Sequence, residues 1–167
     1  MDCTICNFKE AIRWFKEAAE RDFVRAQYYL GLMYQHGQGT NQDFSKSFNF
    51  YSIAADQGMA EAQHNLALLY KNGQGVEKDV SEFLKWTEKA AQGGNPEAQI
   101  NMGWISEKLG DKLMALAWYS IAASSGHARS SEFRDKLAKK MTSEQIAKAQ
   151  QMAKEYFVHF EKKRKKE

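Results

Sequence analysis

Proline occurs once in the 167 residues, at Pro96, and cysteine twice, at Cys3 and Cys6. With only eleven glycines besides, the chain is neither collagen-like nor a low-complexity linker. Two cysteines supply no disulfide framework. Their C-x-x-C spacing is that of a redox pair or of half a zinc site, but no second pair completes four ligands and no strand-helix context surrounds them. We read them as incidental to a frayed N-terminus. No apolar run approaches the roughly 18 residues of a membrane span, and residues 1–7 lack a basic region followed by an apolar stretch. The sequence as it stands predicts a cytoplasmic chain, with a periplasmic or secreted location open if the N-terminus is truncated. Catalytic signatures are missing too. His36, His64, His127 and His159 form no H-E-x-x-H motif, and no G-x-S-x-G elbow occurs. The expectation is no enzyme, no cofactor and no metal.

What is there is repetition. Ala26-Gln27-x-x-Leu30-Gly31 returns as Ala62-Gln63-x-x-Leu66-Ala67 and as Ala98-Gln99-x-x-Met102-Gly103, a 36-residue period that makes the fold a stacked array. Ala-Ala pairs at 18–19, 54–55, 90–91 and 122–123 anchor a second helix in each unit. Four residues before them stand Trp14, Phe50, Trp86 and Trp118, and six before them Ile12, Phe48, Leu84 and Leu116, which we take as one apolar stripe. Asn7, Asp43, Asp79 and Asp111, eleven residues before each anchor, are candidate N-caps. The first helices are expected from Ala26, Ala62 and Ala98, with Asn95-Pro96 as a start signal. Gly37-Gln38-Gly39 and Gly73-Gln74-Gly75 lack the Gly-Lys-Ser/Thr of a phosphate loop and read as tight turns with positive φ. The third copy has lost four residues there, giving a tighter hairpin.

These residues spell A-x-x-x-L-G-x-x-Y-x-x-G-x-G-V-x-x-D, an aromatic, then A-A-x-x-G, best matched over residues 62–95. The pattern resembles the Sel-one-like repeat (SLR) family, relatives of tetratricopeptide repeats. Within it Ala67, Thr87 and Ser106 depart from glycine, aromatic and tyrosine, and Asp22 stands where Gly58, Gly94 and Gly126 sit. The resemblance implies an all-α fold: an α/α right-handed superhelical solenoid of helix-turn-helix repeats with a C-terminal capping helix. The expected division is 7–22 (a second helix alone), 26–59, 62–95, a shortened 98–128, a cap over 130–160 and a basic tail over 161–167. Thr142 and Gln145 have capping-box spacing, with Met141 and Ile146 as a staple, so a helix of roughly four turns should start at Ser143 with Ile146, Ala149, Ala153 and Phe157 as its apolar stripe. The lone second helix leaves Ile12 and Phe15 open, which raises homodimerisation through the uncapped N-terminal end.

By analogy with tetratricopeptide arrays the first helices line the concave side. If Leu30, Leu66 and Met102 face the core, the residues two before, two after and five after them form another face. It comprises Tyr28, Leu32 and Gln35, then His64, Leu68 and Lys71, then Ile100, Trp104 and Glu107. An apolar centre with a polar rim suits a peptide groove, although Leu32, Leu68 and Trp104 can instead pack on the next repeat or the cap. The expected activity is that of a protein-interaction adaptor or scaffold. Its alternative rests on charge: residues 129–167 carry twelve Lys/Arg against six Asp/Glu, and Lys162 to Lys166 form a basic run able to touch an anionic membrane or polyanion. No interleaved aromatics support specific nucleic-acid recognition.

Overall fold

The computed structural model describes residues 3–164, without the side chains of 3–6, 161, 163 and 164. Among them run nine helices: α1 (Cys3–Ala19), α2 (Val24–His36), α3 (Phe44–Asp56), α4 (Ala60–Asn72), α5 (Val80–Gln92), α6 (Pro96–Lys108), α7 (Lys112–Ser124), α8 (Ala128–Ala138) and α9 (Ser143–Arg164). They fall into two compact units that divide after Trp86, within α5.

Local chemistry sets most helix ends. Asp43, Asp79 and Asp111 cap as their spacing predicts, with Asp43 Oδ1 accepting from the Lys46 amide at 2.9 Å, Asp79 Oδ1 from that of Glu82 at 3.0 Å and Asp111 Oδ1 from that of Met114 at 2.9 Å. Asn95 accepts from the Ala98 amide at 2.9 Å, and Pro96 occupies the first turn of α6. Asn7 does no such work, because α1 already starts at Cys3 and holds Asn7 inside the helix. First helices begin at Val24, Ala60 and Pro96, two residues before the expected alanines. At the turn between helices Asp22 takes φ 58, close to Gly58 at 87, Gly94 at 93 and Gly126 at 79, a conformation that a short polar side chain tolerates better than most.

In the first unit, α1 lies on α2, and Ile12 joins Leu30, Met33 and Tyr34 in one core cluster. Phe15 stacks on Tyr29 with ring centres 5.2 Å apart. The patch expected to be open for self-association is therefore partly covered by α2, and the side chain left out is Trp14, 56% exposed with the Arg13 guanidinium over its ring. Trp14 and Ile12 do not share a stripe. Residues two apart on a helix point about 200° from each other, so where Ile12 is buried Trp14 is not; in α5 the order reverses, with Trp86 buried and Leu84 exposed. A second cluster gathers Tyr51, Ala54, Ala55, Leu66 and Leu69 from α3 and α4.

The second unit is built around α7, buried along Ala115 to Tyr119 and again at Ile121 and Ala122. Between α6 and α7 only Leu109, Gly110 and Asp111 intervene, the tighter hairpin expected of the third copy. The capping box forms: Gln145 Oε1 accepts from the Thr142 amide at 3.0 Å, and Thr142 Oγ1 from the Gln145 amide at 3.2 Å. Met141 and Ile146 both pack on the core beneath. α9 runs 22 residues rather than four turns and takes the start of the basic run into the helix; residues 165–167 lie outside the described residues, as do the side chains of Cys3 and Cys6. Its buried stripe continues from Ala149 and Ala153 to Phe160, with Tyr156 partly buried between, leaving Phe157 45% exposed, because steps of three and four residues keep one face.

In the first and third repeats the two helices approach closely at a glycine. A Cβ on Gly31 would stand 2.5 Å from ring carbons of Tyr51, and one on Gly103 would overlap the Tyr119 ring. We expect Gly31→Ala to force α2 and α3 apart and cost about 1 to 3 kcal/mol in urea unfolding, with Gly31→Leu costing more. An unshifted midpoint for both would show that the ring yields freely.

Candidate functional site

The nine residues of the expected face do not share one environment. In the first unit Tyr28 and Leu32 are half-buried against the cluster of α3 and α4. Tyr28 faces polar groups of α4: Asn65 stands near enough to act on the Tyr28 and Tyr51 phenols, and Glu61 to act on Tyr28 by charge. Burial first, and then Glu61, pushes the Tyr28 phenol above its ordinary pKa. His64 and Leu68 on α4 are half-buried, and Lys71 is exposed with its ammonium 5.5 Å from the Phe83 ring centre.

In the second unit Ile100 is only 6% exposed and packs with Leu116, Tyr119, Leu137 and Ala149, so it faces core rather than solvent. Trp104, one turn on, is 53% exposed, and Lys108 Nζ lies 5.5 Å over its ring. Of the two residues with large apolar side chains that the face assigns to this unit, Trp104 is the open one.

The rim positions are tied to their own repeats. Tyr51 donates its hydroxyl to Gln35 Oε1 at 2.6 Å, and Tyr119 to Glu107 Oε2 at 3.2 Å. Both phenols are buried beneath, and desolvation raises their pKa strongly; for Tyr119 the Glu107 carboxylate adds to the shift. Chemically the surface offers apolar groups, amides and isolated charges. Among the described residues no group of three or more His, Cys, Asp or Glu could hold a metal ion, and no helix is long and apolar enough to cross a membrane. The glycine turn beside α1 is shaped by packing: a Cβ on Gly39 would stand 2.6 Å from the Phe8 carbonyl carbon.

A sequence model of the Sel1 repeat matches residues 7–23, 24–59, 60–95 and 96–127. The chain belongs to the Sel1 repeat family. Among solved structures it resembles a Sel1 repeat protein from Oxalobacter formigenes, with a TM-score of 0.69 and 27% identity, covering 92% of this chain and 79% of that one. A protective antigen of uropathogenic Escherichia coli strains, described as displaying an SLR fold, gives 0.68 and 38% identity over 74% of this chain and 27% of its own. The DAP3-binding cell death enhancer 1 of Rattus norvegicus is 42% identical over 41 residues, 25% of this chain, which spans only 8% of that relative's length.

Asn65 and the Sel1-repeat glutamines are what reading the sequence overlooked. Gln63 and Gln99 are buried and donate to the Ala55 and Ala91 carbonyls at 3.0 and 3.1 Å, clamping a first helix to the end of the helix before it. Gln27 instead accepts from Gln57 Nε2 at 2.8 Å. A polar residue repeated beside an invariant alanine was the signal. A pH dependence follows from the two tyrosines. Unfolded, each ionises near 10.0; folded, each keeps its proton to higher pH, so the stability they contribute is intact below about pH 10 and is lost as pH rises through the folded values. Tyr51→Phe should cost about 1 kcal/mol at neutral pH, and its urea midpoint should fall less steeply than wild type above about pH 10. Parallel curves would mean that Tyr51 ionises in the folded state as it does in solvent.

Proposed function

We propose that this chain is a protein-interaction adaptor whose first helices carry partner-binding faces, those of α2 and α4 within the first unit and that of α6 within the second, with Trp104 as the leading anchor of the latter. Sel1 repeats are a fold generally used for protein binding. The observation that carries the residue assignment is the exposure of Trp104 on a helix whose neighbouring turn, at Ile100, is locked into core. A large aromatic held on a rigid helix offers contact area at little ordering cost, and tryptophan is enriched among residues that dominate interface energy. Tyr28, Leu32, His64 and Leu68 offer part of their surface in the same way, while Gln35, Lys71 and Glu107 supply a polar rim whose geometry is already fixed. The name of the rat relative describes it as binding another protein, which agrees with this class of activity.

The test is affinity capture from a bacterial lysate, identification of the retained protein, and titration of that protein as a purified species. Trp104→Ala should weaken binding about thirtyfold, or by about 2 kcal/mol, with helical content unchanged. Leu68→Glu should do comparable damage, whereas Lys85→Ala, an exposed side chain paired with Glu82, should do none. Wild-type affinity in both Trp104→Ala and Leu68→Glu would remove the first helices from the binding surface.

A further inference from the structure

A second surface, independent of the first helices, lies within the second unit. Between α7 and α9 runs a cleft of about 600 Å³ with Ile121, Ala153 and Phe157 as its apolar surface, Ser120 and Ser124 on the α7 side and Lys154 on the α9 side. Ile121 and Ala153 are buried at its floor, yet Phe157 stays 45% exposed. We propose that this cleft is a docking groove for the apolar face of an acidic amphipathic helix from a partner protein.

The serines make the α7 wall inexpensive to desolvate. Ser120 Oγ donates to the Leu116 carbonyl and Ser124 Oγ to that of Ile121, each at 2.7 Å, so an apolar ligand covers these two hydroxyls without orphaning their protons. Residues 120 and 124 are one turn apart, and such small side chains leave room for the large ones of an approaching helix. The cleft is also preformed. Along the same buried stripe of α9 as Ala153, Trp118 stacks against Phe160 at 5.6 Å and Tyr156 at 6.0 Å, and this three-ring stack holds α9 to α7 beside the groove.

Charge selects the occupant. Lys154 is the one charged residue lining the cleft among the described residues, and residues 129–167 carry twelve Lys/Arg against six Asp/Glu. A partner helix with carboxylates beside its apolar row matches both. The apolar groups sit at the floor of a concave surface with helical walls, which a side-chain ridge enters and a flat bilayer does not.

The probe is a fluorescein-labelled synthetic helix of about 18 residues, with leucines at helical spacing flanked by glutamates, compared with a twin in which lysine replaces every glutamate. Anisotropy should show the acidic peptide binding about tenfold tighter than its twin. Ser124→Trp, which fills the groove from an exposed position, and Phe157→Ser should each weaken it at least about tenfold, and Lys154→Glu should reverse the preference between the peptides. Trp104→Ala should bind as wild type does, separating this groove from the first-helix surface. No binding, equal binding of the two peptides, or wild-type affinity in Ser124→Trp would each overturn the proposal. So would phosphatidylserine vesicles that bind the wild type and lose binding on Ser124→Trp, an outcome that assigns the cleft to lipid.

Discussion

The contact on which the first and third repeats depend is a tyrosine ring laid against a glycine backbone. Tyr51 covers Gly31, and Tyr119 covers Gly103, in each case at a distance that no Cβ would permit. Such an approach buries both rings almost completely and strands their hydroxyls at the edge of the core, where an unpaired donor is costly. Gln35 and Glu107, one turn beyond the glycines, accept those hydroxyls. One close approach thus fixes the separation of two helices, the placement of a buried phenol and the orientation of a surface acceptor.

The middle repeat departs from this pairing at both positions. Ala67 stands at the place of Gly31 and Thr87 at that of Tyr51, so a methyl is gained at one position while a ring is lost at the other. Lys71 then occupies the acceptor's place, and with no tyrosine hydroxyl to receive it lies over Phe83 instead.

Features set by a few neighbours in the chain were legible from the sequence: the aspartate caps, Asn95-Pro96, the capping box at Thr142, the shortened hairpin and the all-α class. Features set by what lies across from a residue were not. Tyr28 and Ile100 share a register position, yet α4 offers Tyr28 the polar Asn65 and Glu61, whereas Ile100 meets Leu137 of α8 and Ala149 of α9. Periodicity identifies the face and is silent about its neighbour. Phe157 and Phe160 illustrate the same limit, since both are aromatic and three residues apart, and the position of Trp118 decides which is buried. Trp14 differs from Trp86 and Trp118 for that reason too, having no core on its side of α1.

The polar groups at the rim bear on how binding energy is divided. Gln35 and Glu107 already accept hydrogen bonds within their own repeats, so a partner that engages them must share or replace an existing bond and gains little net energy by doing so. They are better suited to setting register than to supplying affinity. Two of the exposed apolar side chains, Trp104 on α6 and Phe157 on α9, each have a lysine on their own helix close by, Lys108 over the indole and Lys154 lining the same cleft as the phenyl ring. In the complexes proposed above, burial of the rings would govern how long a partner stays, while the lysines, exposed and screened by salt, would govern how fast an acidic partner arrives. The two contributions are therefore separable by ionic strength: raising salt slows the association of an acidic ligand and leaves the lifetime of an aromatic-anchored complex nearly as it was.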